Sequence, residues 1–521
     1  MKIVNTNEMK GIELKCLEYN ISTDTLMENA GLATAEICNS IMLQSKATKP
    51  INILILAGSG NNGGDAIVAG RLLSDRGHKV TIYNCSRSGQ IHDKASTLPD
   101  TSIIIQSKSD QKLDLLASLM SKATLVLDGI IGTGINGQIS GRLKLILEML
   151  KARQENHPKL TVIAIDVPTG VNTDTGQAQE SGITADVTIA LGYPKLAHYT
   201  MPAAEHCGSI SVAEIGIPDT IADDITTMLI TDELVIPKIP SRPMNAHKGT
   251  FGKVLFVGGC QQYKGASYLA TRAASRTGAG LVTAATPPSI HLGLVGKVPE
   301  ITYLMIPETH DGYIGSDADK PIMNTIKDYN AVLIGCGLGI TDSTTNFVYN
   351  LLLSNSQLPS PVIDADALTI LSKKTNWYKK FDQLAILTPH AGEMSRLIGL
   401  ESSPRTPISN DILIKCANKW NKIIVMKGPY TRIVPPGGLV FISPMANPAL
   451  ASAGTGDVLG GTIAGLIAQG VNMTDAAITG VYIHSLAGQH LKNVMGDAGV
   501  VASDILNELP STIARLKGSN I

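Results

Sequence analysis

Ile51-Asn52-Ile53-Leu54-Ile55-Leu56-Ala57-Gly58-Ser59-Gly60-Asn61-Asn62-Gly63-Gly64-Asp65 decides the fold class. Residues 51–57, dominated by Ile and Leu, read as a strand buried on both faces. Four glycines in the next seven residues let the backbone turn and come close to a ligand. Residues 66–74 then take a helical pattern. Strand, glycine turn and helix make half of a parallel βα unit, and the helix start offers unpaired N–H donors to a pyrophosphate.

The same alternation extends in both directions. Upstream, Leu26-Met27-Glu28-Asn29-Ala30-Gly31 lies in a helical region; downstream, 79–84, 124–128, 160–166 and 187–191 are strand candidates. Strands separated by amphipathic helices predict a parallel sheet covered on both faces, here a domain spanning 1–227. Val235-Ile236-Pro237-Lys238-Ile239-Pro240-Ser241-Arg242-Pro243 can neither continue a helix nor sit in a central strand, so it reads as an interdomain connection. A second α/β domain is expected over 235–521, with strands at 254–257, 280–284, 331–335, 361–364, 384–387, 422–426 and 439–442 and a helical close.

At 521 residues the chain exceeds one hydrophobic core. A formal net charge of -1 and 4% aromatic residues argue against nucleic acid and acidic membranes as partners. Seven scattered cysteines with no C-x-x-C pair disfavour zinc and disulfides and suit a reducing compartment. The amino terminus lacks an apolar leader and no apolar run would span a bilayer, so a cytoplasmic location is expected.

In open parallel sheets ligands gather beyond the carboxyl ends of strands. A second glycine loop, Gly129-Ile130-Ile131-Gly132-Thr133-Gly134-Ile135-Asn136-Gly137, follows Asp128, and Val167-Pro168-Thr169-Gly170 follows Asp166. Two acids beside a phosphate site need a cation or a proton-transfer role. Oxygen donors of Asn62, Asp128 and Thr169 suit a hard cation, which leaves Asp166 for acid–base work. The plainer alternative has both acids capping loops. Lys195 offers a second proton carrier, though its expected place is the exposed surface.

Asn61-Asn62-Gly63-Gly64-Asp65, Asp128 with Gly132-Thr133-Gly134, and Ala164-Ile165-Asp166-Val167-Pro168-Thr169-Gly170 together resemble the NAD(P)HX epimerase (YjeF N-terminal) domain. The resemblance implies a Rossmann-like fold, a K+ ion, and epimerisation of hydrated NADH or NADPH at the hydroxylated ring carbon. It implies substrate contacts from Asn61, Asn62, Gly63, Gly64, Asp65, Gly132, Thr133, Gly134, Ile135, Asn136, Gly137 and Gln138, with Asp166 both binding and catalytic. It also implies potassium ligation by Asn62, Asp128 and Thr169.

Near the other end, Asn447-Pro448-Ala449-Leu450-Ala451-Ser452-Ala453-Gly454-Thr455-Gly456-Asp457 runs into a helix whose buried stripe is Val458, Leu459, Ile463, Leu466 and Ile467. Small residues at a helix start make an anion site. A carboxylate there is repulsive unless it collects a proton, so Asp457 reads as a general base beside an anion hole, as a hydroxyl-phosphorylating enzyme needs. The plainer reading is that Asp457 only favours the helix dipole. The Gly-Thr-Gly ahead of it favours the base.

His247-Lys248-Gly249-Thr250-Phe251-Gly252, Lys264-Gly265-Ala266, Gly335-Cys336-Gly337-Leu338-Gly339, Asp364-Ala365-Asp366, Thr388-Pro389-His390-Ala391-Gly392-Glu393 and Lys427-Gly428-Pro429-Tyr430-Thr431, with the Gly454–Asp457 loop, resemble the ribokinase-like ADP-dependent NAD(P)HX dehydratase. The resemblance implies a bifunctional hydrate-repair enzyme that uses ADP and Mg2+ on the substrates NADHX and NADPHX. Asp457 takes the role of base. Lys427, Gly428, Pro429, Tyr430, Thr431, Asn447, Ser452, Ala453, Gly454, Thr455 and Gly456 are implied ADP contacts; Ala266, Gly337, Leu338, Gly339, His390 and Asp457 are implied hydrate contacts. His390 reads nearly as well as a structural histidine, and His484 reads as core. A homo-oligomer is expected. The competing reading is a sugar or vitamin-precursor kinase behind a non-catalytic binding or dimerisation module; a plain NAD-dependent dehydrogenase ranks third.

Overall fold

Alternate residues of strand β1 (Asn52–Ala57) serve two different cores. Ile53 and Ile55 join residues of the helices Thr6–Glu18, Thr23–Gln44 and Asn61–Asp75 on one face. Leu54 and Leu56 meet Leu116, Met120, Ile146 and Leu150 from the helices Asp114–Lys122 and Gly141–Asn156 on the other. The two-residue period of a strand covered on both sides thus accounts for its unbroken apolar run.

The computed structural model describes residues 1–44, 50–86, 88–99, 102–134, 137–157, 159–354, 357–400 and 408–518. They divide into two units, Met1–Ile225 and Thr226–Ile521. In the first, β1 is joined by β2 (Lys79–Asn84), β3 (Ile103–Gln106), β4 (Leu125–Gly129), β5 (Thr161–Ile165), β6 (Val187–Leu191) and β7 (Ser209–Ala213). The order is β3-β2-β1-β4-β5-β6-β7, with every pairing parallel. The direction of winding reverses between β1 and β4, where such sheets open a crevice.

The second unit carries β8 (Thr227–Leu229), β9 (Lys253–Val257), β10 (Leu281–Thr286), β11 (Thr302–Met305), β12 (Ala331–Ile334), β13 (Pro361–Ile363), β14 (Ala385–Leu387), β15 (Lys422–Met426), β16 (Arg432–Val434) and β17 (Val440–Ile442). Their order is β11-β10-β9-β12-β13-β14-β15-β16-β17-β8. Pairing is parallel from β11 to β15, then antiparallel through β16 and β17. All five stripe residues of the helix Thr455–Ala468 are buried as their spacing predicts.

The boundary differs from the one expected. The first unit ends at Ile225 rather than at 227, and the second starts at Thr226 rather than at 235. β8 pairs with β17, and Ile230, Val235 and Ile239 are buried in the second core, so the proline-rich stretch runs across that unit instead of linking two. Among the described residues no helix is long and apolar enough to cross a membrane.

Candidate active sites

The crevice of the first unit is a cavity of about 840 Å³. The glycine turn after β1, the loop after β4, and Asp166 and Lys195 beyond β5 and β6 all line it. Gly63 is needed there: a Cβ on it would lie 2.1 Å from Gly58 O. Asn61, Asn62, Asp65, Gly132, Thr133, Gly134, Gly137, Gln138 and Asp166 all reach the cavity. Gly64 is buried behind it, where a Cβ would meet Met27 Sδ at 2.6 Å. Ile135 and Asn136 lie outside the described residues.

Asp166 sits at φ 63, a left-handed conformation that costs a non-glycine residue energy. Its surroundings hold it there. Lys195 Nζ donates to its Oδ1, Leu191 N–H donates to the same oxygen at 3.2 Å, and its own N–H donates to Ile189 O at 2.7 Å. Lys195 also donates to Leu191 O at 2.8 Å. The expectation of an exposed Lys195 is overturned: it is 0% exposed and ion-paired. A buried ammonium needs such a counter-charge. His198 fixes the carbonyl side, with Nε2 at 2.9 Å from Asp166 O and Nδ1 accepting from Lys195 N–H at 3.1 Å. Burial, then the Lys195 charge, push its pKa down to about 4, so the ring is neutral.

Asp128 is a separate centre. Its Oδ1 accepts from the Thr169 hydroxyl at 2.7 Å and from Ile130 N–H at 3.2 Å; its Oδ2 accepts from Thr169 N–H at 2.8 Å. Burial still pushes it up to about 6 against those bonds, and among the described residues it has no cationic partner. Nearby, the Asn62 amide nitrogen is buried without a partner among the described residues, and its carboxamide lies against Gly132.

In the second unit the helix Thr455–Ala468 starts at Gly454, whose φ of 88 is left-handed. A Cβ there would meet Leu269 Cδ1 at 2.4 Å. Thr455 N–H reaches Ser452 O at 3.5 Å, but among the described residues no acceptor faces the N–H groups of Gly454, Gly456 and Asp457. Thr455 O accepts from His484 Nε2 at 3.0 Å, so the histidine read as core braces the loop. Ser452 Oγ donates to Val500 O at 3.1 Å, Asn447 Oδ1 accepts from Ala449 N–H at 3.0 Å, and Ala453 follows Ser452 at the start of the glycine turn.

Lys427, immediately after β15, donates to Asp364 Oδ1 at 2.7 Å and lies 3.8 Å from Glu393 Oε2. A Cβ on Gly456 would sit 3.4 Å from Lys427 Nζ, so the ammonium lies against the anion loop. Cys336 Sγ, Asp364 and Asp457 bring ligand atoms within 4.8 Å of one another, with the thiol between the two carboxylates. Burial and the Asp364 charge push Asp457 up to about 6, with the thiol and Lys427 opposing. Burial lifts Glu393 to about 7. Gly428, Pro429, Tyr430 and Thr431 form the next turn, closed by the Thr431 hydroxyl donating to Gly428 O at 2.9 Å.

The hydrate-contact candidates divide. A Cβ on Gly337 would lie 2.8 Å from Ala266 Cβ, so those two adjoin. Leu338 is wholly buried, and Gly339 N–H is taken by Asp366 Oδ2 at 2.8 Å. His390 is exposed and caps the helix Ala391–Leu397, its Nδ1 accepting from Gly392 N–H at 3.0 Å.

Residues 254–511 match the family described as NAD(P)H-hydrate dehydratase, and residues 23–197 match the YjeF-related protein N-terminus family. The "Bifunctional NAD(P)H-hydrate repair enzyme Nnr" of Moorella thermoacetica is 36% identical over 530 residues, covering 99% of this chain and 97% of the relative. The chain belongs to the bifunctional NAD(P)H-hydrate repair enzyme family. The enzyme of the same description from Thermofilum pendens is 31% identical, covering 99% of this chain and 97% of its own. A solved ADP/ATP-dependent NAD(P)H-hydrate dehydratase from Bacillus subtilis, co-crystallised with ATP/Mg2+, is 29% identical with a TM-score of 0.48, covering 56% of this chain and 98% of that one. In this repair enzyme, sequence reasoning offered Lys195 as a proton carrier but expected it at the surface, assigned Lys427 to ADP without its Asp364 partner, and gave Cys336 and Asp364 no role of their own. Asp364 and Lys427 each follow a strand end, and that position was the available signal.

Proposed function

We propose that the second unit dehydrates hydrated NADH and NADPH through phosphorylation, and that the first interconverts the two hydrate epimers. The observation that carries this reading is Asp457: a carboxylate lifted to about 6, in the first turn of a helix whose neighbouring amides face no acceptor. Hydroxide is a poor leaving group, whereas phosphate is a good one. Asp457 takes the proton of the substrate hydroxyl, whose oxygen attacks the terminal phosphoryl group of ADP. AMP leaves while the free amides and Lys427 hold the migrating charge. The ring nitrogen lone pair then expels phosphate, and loss of a proton from the adjacent carbon restores the dihydropyridine. Atoms balance as hydrate plus ADP giving NAD(P)H, AMP and inorganic phosphate.

Gly428 to Thr431, Asn447 and Ser452 to Gly456 surround the nucleotide in this reading, and Ala266 and Gly337 flank the hydrate. Leu338 contributes backbone only. Asp364 and Glu393 are hard oxygen donors suited to Mg2+ carried on the nucleotide, which screens phosphate charge when bound. Asn62, Asp128 and Thr169 fit K+ in the first unit, because Asp128 is a wholly buried carboxylate with no ion pair among the described residues. A bound K+ supplies the missing positive charge.

The test gives the purified chain a mixture of hydrate epimers and ADP. Inorganic phosphate and AMP should appear in step with dihydronicotinamide absorbance. Accumulation of a phosphorylated product without that absorbance would convert the reading to a kinase.

A further inference from the structure

The helix Thr6–Glu18 lies before the span matched to the YjeF-related family, residues 23–197, yet Thr6, Met9, Lys10 and Glu13 line the cavity of the first unit. The site itself fixes that helix. Val4 N–H donates to Pro194 O at 3.0 Å and Leu196 N–H donates to Val4 O at 3.2 Å, so the backbone on either side of Lys195 is clamped to the residues that start it. Asn5 closes the clamp with a capping box to Glu8. Glu13, on the second turn, is half-buried and makes no hydrogen bond or ion pair with the described residues.

Three carboxylates and two ammonium groups therefore meet at one cavity: Glu13, Asp65 and Asp166 with the buried Lys195 and the exposed Lys10. Three negative charges outnumber the two lysines, of which only Lys195 is buried, so a proton resides in the group. Asp65 is the deepest, and burial, then Asp166 and Glu13, push it well above the carboxylate range. Glu13 is shallower and open to solvent exchange. Burial and then Asp166 raise it, while Lys195 and Lys10 oppose; Cys16 is its other titratable neighbour.

Resting on the epimerase reading above, we propose that Glu13 is the second proton carrier of that site, serving the substrate hydroxyl while Asp166, held by Lys195, serves the incoming water. Glu13 in its acid form gives its proton to the ring hydroxyl. The C–O bond breaks as the ring nitrogen lone pair forms C=N, and water is released. Water adds to the other face of that carbon and its proton passes to Asp166. Solvent exchange returns the proton from Asp166 to Glu13, so no net proton is consumed.

The test uses the full chain and one pure epimer of hydrated NADPH. Glu13→Gln should lower kcat for interconversion about a hundredfold. KM should hold within about twofold. One limb of the pH–kcat profile should be lost, Glu13→Asp should restore part of the rate, and ADP-dependent recovery from the S epimer should be unchanged. Unchanged kcat and pH profile in Glu13→Gln, or a raised KM alone, overturns the proposal and leaves the epimerase reading standing. Absence of interconversion in the unmodified chain overturns that reading, and the proposal with it.

Discussion

Asp166 with Lys195 and Asp364 with Lys427 are built alike. Each carboxylate follows the carboxyl end of a parallel strand, and each ammonium comes from a segment following a different strand of the same sheet. They differ in what the lysine grips. In the first unit it grips Asp166, the carboxylate assigned to the reaction. In the second it grips Asp364, and Asp457 is lifted to about 6 by burial and by the Asp364 charge beside it. A carboxylate with a pKa close to ambient pH is a better proton acceptor than an ordinary one and is still ionised above that pH. On the proposed assignment, the second site suits one strong deprotonation and the first suits proton traffic in both directions.

The largest expected effect separates the two. Asp457→Asn should lower ADP-dependent recovery of NAD(P)H by about 10²–10⁴-fold and leave epimer interconversion untouched. The same substitution should stabilise the fold. Because the folded pKa of Asp457 lies above its unfolded value, the native state holds the extra proton between about 4 and 6 and loses stability as pH rises through that window. Removing the charge should return about 1–3 kcal/mol at neutral pH, measured by urea unfolding. Recovery in the unmodified chain should correspondingly fall as pH drops through about 6.

Lys195→Met should break the first comparison. It leaves Asp166 unpaired, and a cost of about 3–5 kcal/mol should appear as a lower unfolding midpoint in urea. Gly454→Ala comes next: φ of 88 and Leu269 at 2.4 Å should cost about 1–2 kcal/mol and raise KM for ADP. The smallest effect sharpens the second pair. Lys427→Met withdraws a charge that lowers the pKa of Asp457, so the acid limb of the recovery profile should move up by about one pH unit.

Buried central strands were legible because apolar runs survive wherever both faces are covered: 79–84, 187–191 and 422–426 coincide with β2, β6 and β15. β3, β7, β8, β11 and β16 were not. β3 and β7 are the edges of the first sheet, with Ile103 and Ile104 of β3 facing solvent, β11 is an edge of the second sheet with Met305 exposed, and β8 and β16 have three residues each. At the sites, glycine loops and strand-end acids could be read because their residue types are specific. Lys195 could not, since a lysine carries no mark of burial until the fold brings Asp166 to it. Glu13 was hidden for the same reason, as its helix reaches the cavity only through the pairing of Val4 beside Lys195.

The division of labour between the two carboxylates is tested most directly with the pure R epimer of hydrated NADH, ADP, and three proteins: unmodified, Asp166→Asn and Asp457→Asn. The unmodified chain should return all of the dihydronicotinamide absorbance, Asp166→Asn should leave the R epimer in place, and Asp457→Asn should yield both epimers with no absorbance. Full recovery by either variant would contradict the assignment.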